Sequence, residues 1–162
     1  MLAVAWRCMS ILAFTASCVA ASANDLPLKF DPKRDAAKDV ATAIQLAKSQ
    51  SKRVVVYVGG EWCVWCHIMD RFFAEDAEVR TLRDAHYVWV KVNWSKEVPN
   101  EAVLSRWPKI SGYPHLFVLD ANGRLLHSQD TSLLEAGKGY DKAKFAAFLD
   151  QWAPGDGAPK PR

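Results

Sequence analysis

The stretch Val54-Val55-Val56-Tyr57-Val58-Gly59-Gly60-Glu61-Trp62-Cys63-Val64-Trp65-Cys66-His67 decides the fold. Its opening run is β-branched and aromatic, and too apolar for a strand with one wet face. A strand buried on both sides is therefore expected over 53–58. Gly59-Gly60 then turns the chain into a helix that carries two cysteines in its first turn. Cys63 falls at the helix N-terminus, where unpaired backbone N–H groups and the macrodipole favour a thiolate. Cys66 shares its helical face and can close a short disulfide with it. The thiolate is the attacking species in thiol chemistry, so this placement makes Cys63 the candidate nucleophile.

Working outward, the apolar residues Ala37, Val40, Ala41, Ile44 and Ala47 recur at helical spacing and predict a helix over 35–50. A second short helix is expected over 76–84, a strand over 87–92, and a helix over 100–107 that ends near Pro108. Strands over 116–119 and 125–127 flank Asp120-Ala121-Asn122-Gly123, whose Asn-Gly suits positive φ, and so form a hairpin. Asp141 caps a last helix with the apolar stripe Phe145, Phe148, Leu149 and Trp152. Strands joined through helices must pair in parallel, whereas a hairpin is antiparallel. The fold class is therefore α/β, a central mixed β-sheet flanked by helices.

The 162 residues amount to one domain, and the net charge of +3 is small and scattered. Lys and Arg never run beyond two in a row, as at Lys52-Arg53, so nucleic acid is not an expected partner. Residues 1–23 read as a signal peptide: Arg7, an apolar stretch over 11–21, and Ala21-Ser22-Ala23 as an A-x-A cleavage site. The uncharged stretch over 8–23 is short for a membrane span, which needs about 20 apolar residues, so an uncleaved anchor is the lesser reading. Residues 24–35 read as an extended lead-in, 36–152 as the domain, and 153–162 as a disordered Gly/Pro-rich tail. Cleavage removes Cys8 and Cys18 and leaves only Cys63 and Cys66, so no structural disulfide framework remains in the exported chain.

The strand, Trp62-Cys63-x-x-Cys66 at a helix start, Gly112-Tyr113-Pro114 before a hairpin strand, and a closing helix together resemble the thioredoxin superfamily. The form Trp62 to Met69, Trp-Cys-x-x-Cys-His-x-Met, is most similar to its exported thioredoxin-like members. The resemblance implies a thioredoxin fold with Cys63 attacking, Cys66 resolving, and Pro114 facing them across a cis bond. It further implies that Trp62, Tyr113 and Pro114 receive substrate, the Tyr113 backbone pairing with an extended segment. The implied activity is thiol–disulfide exchange with protein thiols or disulfides in the periplasm or outside the cell. No cofactor or metal is called for, a membrane-bound relay is an expected partner, and a monomer is expected. Two departures stand out. Tyr57 occupies the place of thioredoxin's buried aspartate, although Lys91 matches the family's buried lysine. The interior Val64-Trp65 matches neither Gly-Pro nor Pro-His, which leaves the direction of electron flow open. His67 and Lys91 are then the residues on hand for proton transfer.

Other readings of the same residues stand beside this one. Cys63-Val64-Trp65-Cys66-His67 also fits the c-type haem attachment motif, with His67 as an axial ligand. Two thiolates with His67 and His115 form a zinc set on paper, although the spacing follows no zinc-finger pattern. A non-catalytic adaptor of the same fold is the last reading, and it leaves both cysteines without a purpose.

Overall fold

Neighbouring residues of the central strand face two different cores. In β1 (Arg53–Gly59), Val54, Val56 and Val58 lie on one side and Val55 and Tyr57 on the other, all fully buried. This double burial follows from the strand's place inside the sheet. In the computed structural model, which describes residues 22–155, β1 pairs in parallel with β2 (Tyr87–Asn93) and antiparallel with β3 (His115–Leu119). The strand β4 (Leu125–Asp130) adds to β3 and gives the order β2-β1-β3-β4, the mixed sheet that the sequence called for. The hairpin strands run longer than expected, and Gly123 at φ 82° makes the turn between them.

Helices cover both faces. On the Val54 side lies α1 (Ala36–Ser49), capped by the Asp35 carboxylate and burying Val40, Ala43, Leu46 and Ala47. On the Tyr57 side lie α2 (Val64–Glu75) and α3 (Ala77–His86), with Asp76 ending one and capping the other. The closing helix α5 (Lys142–Gln151) joins that side through Phe145, Phe148 and Leu149, and Asp141 caps it as expected.

The helix expected over 100–107 is cut short. Only α4 (Glu101–Leu104) forms; beyond it Arg106 and Trp107 bond three residues back, to Val103 and Leu104, and the Ser105 hydroxyl takes the Glu101 carbonyl at 2.6 Å. Local side-chain bonding of that kind competes with helix propagation. Nor are residues 24–35 merely extended. A 3-10 turn at Ala23–Asp25 and a series of bends deliver Leu26 and Phe30 into the two cores. A short hairpin, β5 (Glu135–Ala136) with β6 (Gly139–Tyr140), follows a 3-10 turn at Thr131–Leu134, in a stretch with no element expected from its pattern. The signal-peptide reading up to residue 21 and the tail from 156 lie outside the described residues.

The bends over 26–35 are held by charge. Arg34 Nε donates to Asp39 Oδ2 at 2.7 Å, and its Nη2 bonds both Asp39 Oδ1 and the Asp25 carbonyl. Asp39 is buried on α1, while the Arg34 side chain is 37% exposed, so losing the acid strands a cation that water still reaches. Asp39→Ala should therefore cost about 1–3 kcal/mol, the range for a charged hydrogen bond rather than for a fully buried ion pair. Urea unfolding measures it, and a loss within about 0.5 kcal/mol, ordinary for a surface change, would mean the segment is held by packing alone.

Candidate active site

Cys63 is the capping residue of α2. Its backbone is extended (φ −90°, ψ 103°), and its Sγ accepts the N–H of Cys66 at 3.2 Å. The two sulfurs are joined in a disulfide, with Cα atoms 5.2 Å apart. Cys66 is wholly buried, whereas Cys63 keeps a sliver of exposure at 3%. The helix can start here because the strand ends without side chains. A Cβ on Gly59 would stand 2.4 Å from Cys66 Sγ and 3.0 Å from the Phe30 ring, so only glycine fits.

Around Cys66 the sulfur's neighbours are aromatic. Tyr57, where thioredoxin has aspartate, donates its hydroxyl to the Cys66 carbonyl at 2.8 Å. Burial pushes its phenol far above the ordinary value, so it is no base near neutrality. Lys91 pairs with Asp70 at 2.6 Å and sits 5.0 Å and 5.5 Å from the ring centroids of Phe30 and Tyr57. The pair borders a cleft of about 580 Å³ whose walls include Lys29, Glu61, His67 and Arg83. His67 Nε2 meets the Glu61 carbonyl at 2.8 Å; a carbonyl only accepts, so this nitrogen carries the proton. Glu61 accepts the Phe30 N–H at 3.2 Å and ties the N-terminal segment to the motif.

On the opposite side the Tyr113–Pro114 peptide bond is cis. Tyr113 stacks on Trp94, with centroids 4.7 Å apart at 24°, and meets Trp62 edge-on at 5.4 Å. Trp62 donates its indole N–H to the Trp94 carbonyl at 2.8 Å yet stays 53% exposed. Trp62, Tyr113 and Trp94 thus form one aromatic cluster, Trp94 without any sequence signal. Trp65 packs apart from it, on Tyr140 at 5.6 Å.

His115 does not join a zinc set with the cysteines. Its ring is buried on Phe117 with Nε2 on the Ser128 hydroxyl at 2.8 Å, and among the described residues no three His, Cys, Asp or Glu converge on a metal position. In this arrangement neither sulfur is free for a thioether bond to haem, and His67 is held by Glu61. Sequence reasoning passed over Phe30, Gly59 and Asp70 as site residues. Only Asp70 had a usable signal, its i+4 spacing from Cys66.

Residues 35–121 match the thioredoxin-like family, which is more than half of the chain. The chain belongs to this family. Over 95 residues the thioredoxin-like chain is 24% identical to a disulfide bond reductase, DsbH, of Chlamydia pneumoniae, covering 53% of this chain and 57% of that protein. It therefore spans little more than half of that relative's length. Among solved structures, a disulphide isomerase from Xylella fastidiosa Temecula1 superposes with a TM-score of 0.64 at 20% identity, over 77% of this chain and 95% of the other. The C-terminal domain of Neisseria meningitidis DsbD in its oxidised form gives 0.56 at 22% identity, over 73% and 96%. At such identities these structures show the thioredoxin-like fold.

Gly59→Ala should destabilise the protein by about 1–3 kcal/mol, because the methyl group must displace the Cys66 sulfur or the Phe30 ring in a packed core. Thermal and urea unfolding read this, and wild-type stability would show that the contact yields freely. His115 gives a pH dependence. Burial holds its imidazole below the ordinary value, with the Asp130 carboxylate opposing that shift. The unfolded chain then binds the proton more readily, so stability is full above about pH 6.5 and falls as pH drops below it. His115→Gln should flatten that acid-side loss in unfolding curves; an unchanged slope would assign it to other groups.

Proposed function

We propose that the protein is an exported thiol–disulfide oxidoreductase that exchanges disulfides with protein substrates through Cys63 and Cys66. The observation that carries this reading is the pair itself: a disulfide in the first turn of a 12-residue helix, its less buried sulfur at the helix N-terminus. That position favours the Cys63 thiolate once the pair is reduced. The kinship with a disulfide bond reductase supports the same chemistry.

In the reducing direction the Cys63 thiolate attacks one sulfur of a substrate disulfide. The substrate S–S bond breaks, and its released sulfur leaves as a thiolate that takes up a proton. Cys66 then gives up its proton and attacks Cys63 Sγ, which expels the second substrate sulfur. The substrate gains two electrons and two protons, and Cys63–Cys66 is oxidised. Run backwards, the same steps oxidise a substrate dithiol. The cysteines carry the electrons, so the reaction calls for no cofactor.

Trp62, Tyr113 and Pro114 form the proposed substrate wall, with the Tyr113 backbone pairing an extended segment. For the Cys66 proton, Lys91 with Asp70 and the neighbouring cleft stand in for the missing carboxylate, and His67 is the second proposed group. The signal-peptide reading supports a periplasmic or secreted location; a monomeric state and a membrane-bound relay as electron source complete the proposal.

Limiting iodoacetamide on the reduced protein should label Cys63 first. Cys66→Ser should trap mixed disulfides with a protein substrate, and Cys63→Ser should abolish turnover. Faster labelling at Cys66 would reverse the roles, and a Soret band surviving denaturation would replace the reading with covalent haem.

A further inference from the structure

Residues 131–140 lie beyond the stretch matched by the thioredoxin-like family, and the exchange chemistry makes no use of them. They nevertheless reach both sides of the redox site. Thr131 is 2% exposed, and its Oγ1 donates to the Pro114 carbonyl at 2.7 Å. Tyr140, on β6, packs its ring on Trp65 and brings its hydroxyl to 3.5 Å from the Trp65 carbonyl.

Thr131 has one hydroxyl proton, and the Pro114 carbonyl can only accept it. Tyr140 likewise has one, and the Trp65 carbonyl is its acceptor. Two hydroxyls from the ends of one short segment thus reach the Pro114 carbonyl and a carbonyl inside Cys63-Val64-Trp65-Cys66.

We propose that Thr131 and Tyr140 are positioning residues that fix the gap between the Tyr113-Pro114 segment and the cysteine helix, in which a protein substrate is held as an extended strand. This rests on the oxidoreductase reading and adds to it the need for a set gap. An extended segment must pair with the Tyr113 backbone while presenting its sulfur to Cys63, so the spacing of the two walls enters substrate binding directly. A small disulfide needs only the Cys63 sulfur.

Steady-state reduction of insulin tests the bridge, with cystine as a small-disulfide control on the wild type. Thr131→Val keeps the volume and removes the proton, leaving the Pro114 carbonyl unpaired. Its KM for insulin should rise roughly three- to tenfold, the effect of one buried hydrogen bond, with kcat within about twofold. Thr131→Ser should restore the wild-type KM, and Tyr140→Phe should raise KM by less than Thr131→Val. Wild-type KM in both Thr131→Val and Tyr140→Phe would overturn the bridge, as would a fall in kcat alone or a failure of serine to rescue. Should Thr131→Val not fold, Tyr140→Phe against wild type decides the matter. A wild-type protein that reduces neither insulin nor cystine would sink the oxidoreductase reading first, and the bridge with it.

Discussion

The contact on which the site depends is that of the Cys66 sulfur with the bare α-carbon of Gly59. A strand buried on both faces ends there, and the next helix must begin close enough for its second cysteine to rest on the strand's last residue. Any side chain at 59 would occupy the place of the sulfur or of the Phe30 ring. The same backbone is held from β2, where Trp94 N–H donates to the Gly59 carbonyl at 2.6 Å. The sheet thus fixes the position of Cys66, and the helix in turn fixes Cys63 relative to it.

The electrostatics of the site follow from the loss of a core carboxylate. A buried aspartate at position 57 would face desolvation and need a cation or a proton. Tyrosine avoids that cost and spends its one proton on the Cys66 carbonyl. Lys91 remains close by, and its charge is met by Asp70 from the surface side of α2 and by the faces of Phe30 and Tyr57. Asp70 is 40% exposed, so the pair's net contribution to stability is small. The charged groups nearest Tyr57 thus stand at the wall of a cleft rather than inside the core.

The sheet and the cysteine pair were legible because each rests on local pattern. A continuous apolar strand, Asn-Gly turn chemistry, and Asp141 as a cap all read directly from the chain. The short α4 was not, since Asn100 to Trp107 has helical composition and only the competing Ser105 hydroxyl and the nearby Pro108 cut it off. Phe30 and Tyr140 were invisible for a different reason. Each reaches the site from a segment without periodicity, and what places it is tertiary contact: Glu61 and Tyr57 for one, Trp65 and Phe145 for the other. The i+4 spacing puts Asp70 on one face with Cys66, but only the fold brings Lys91 to it.

Both of those segments lie outside the residues that match the family. The shared portion supplies the strand, the turn, the two sulfurs and the proline. The N-terminal segment adds the Phe30 wall against Cys66 and one lip of the cleft beside Lys91. The 131–140 segment adds the opposite wall, against Trp65 and Pro114. One segment thus bears on Cys66, the other on the Pro114 segment and the first turn of α2, with the cysteines and the sheet beneath them left as they are. Under the exchange reading proposed above, changes in the first act on the resolving step and changes in the second on substrate docking.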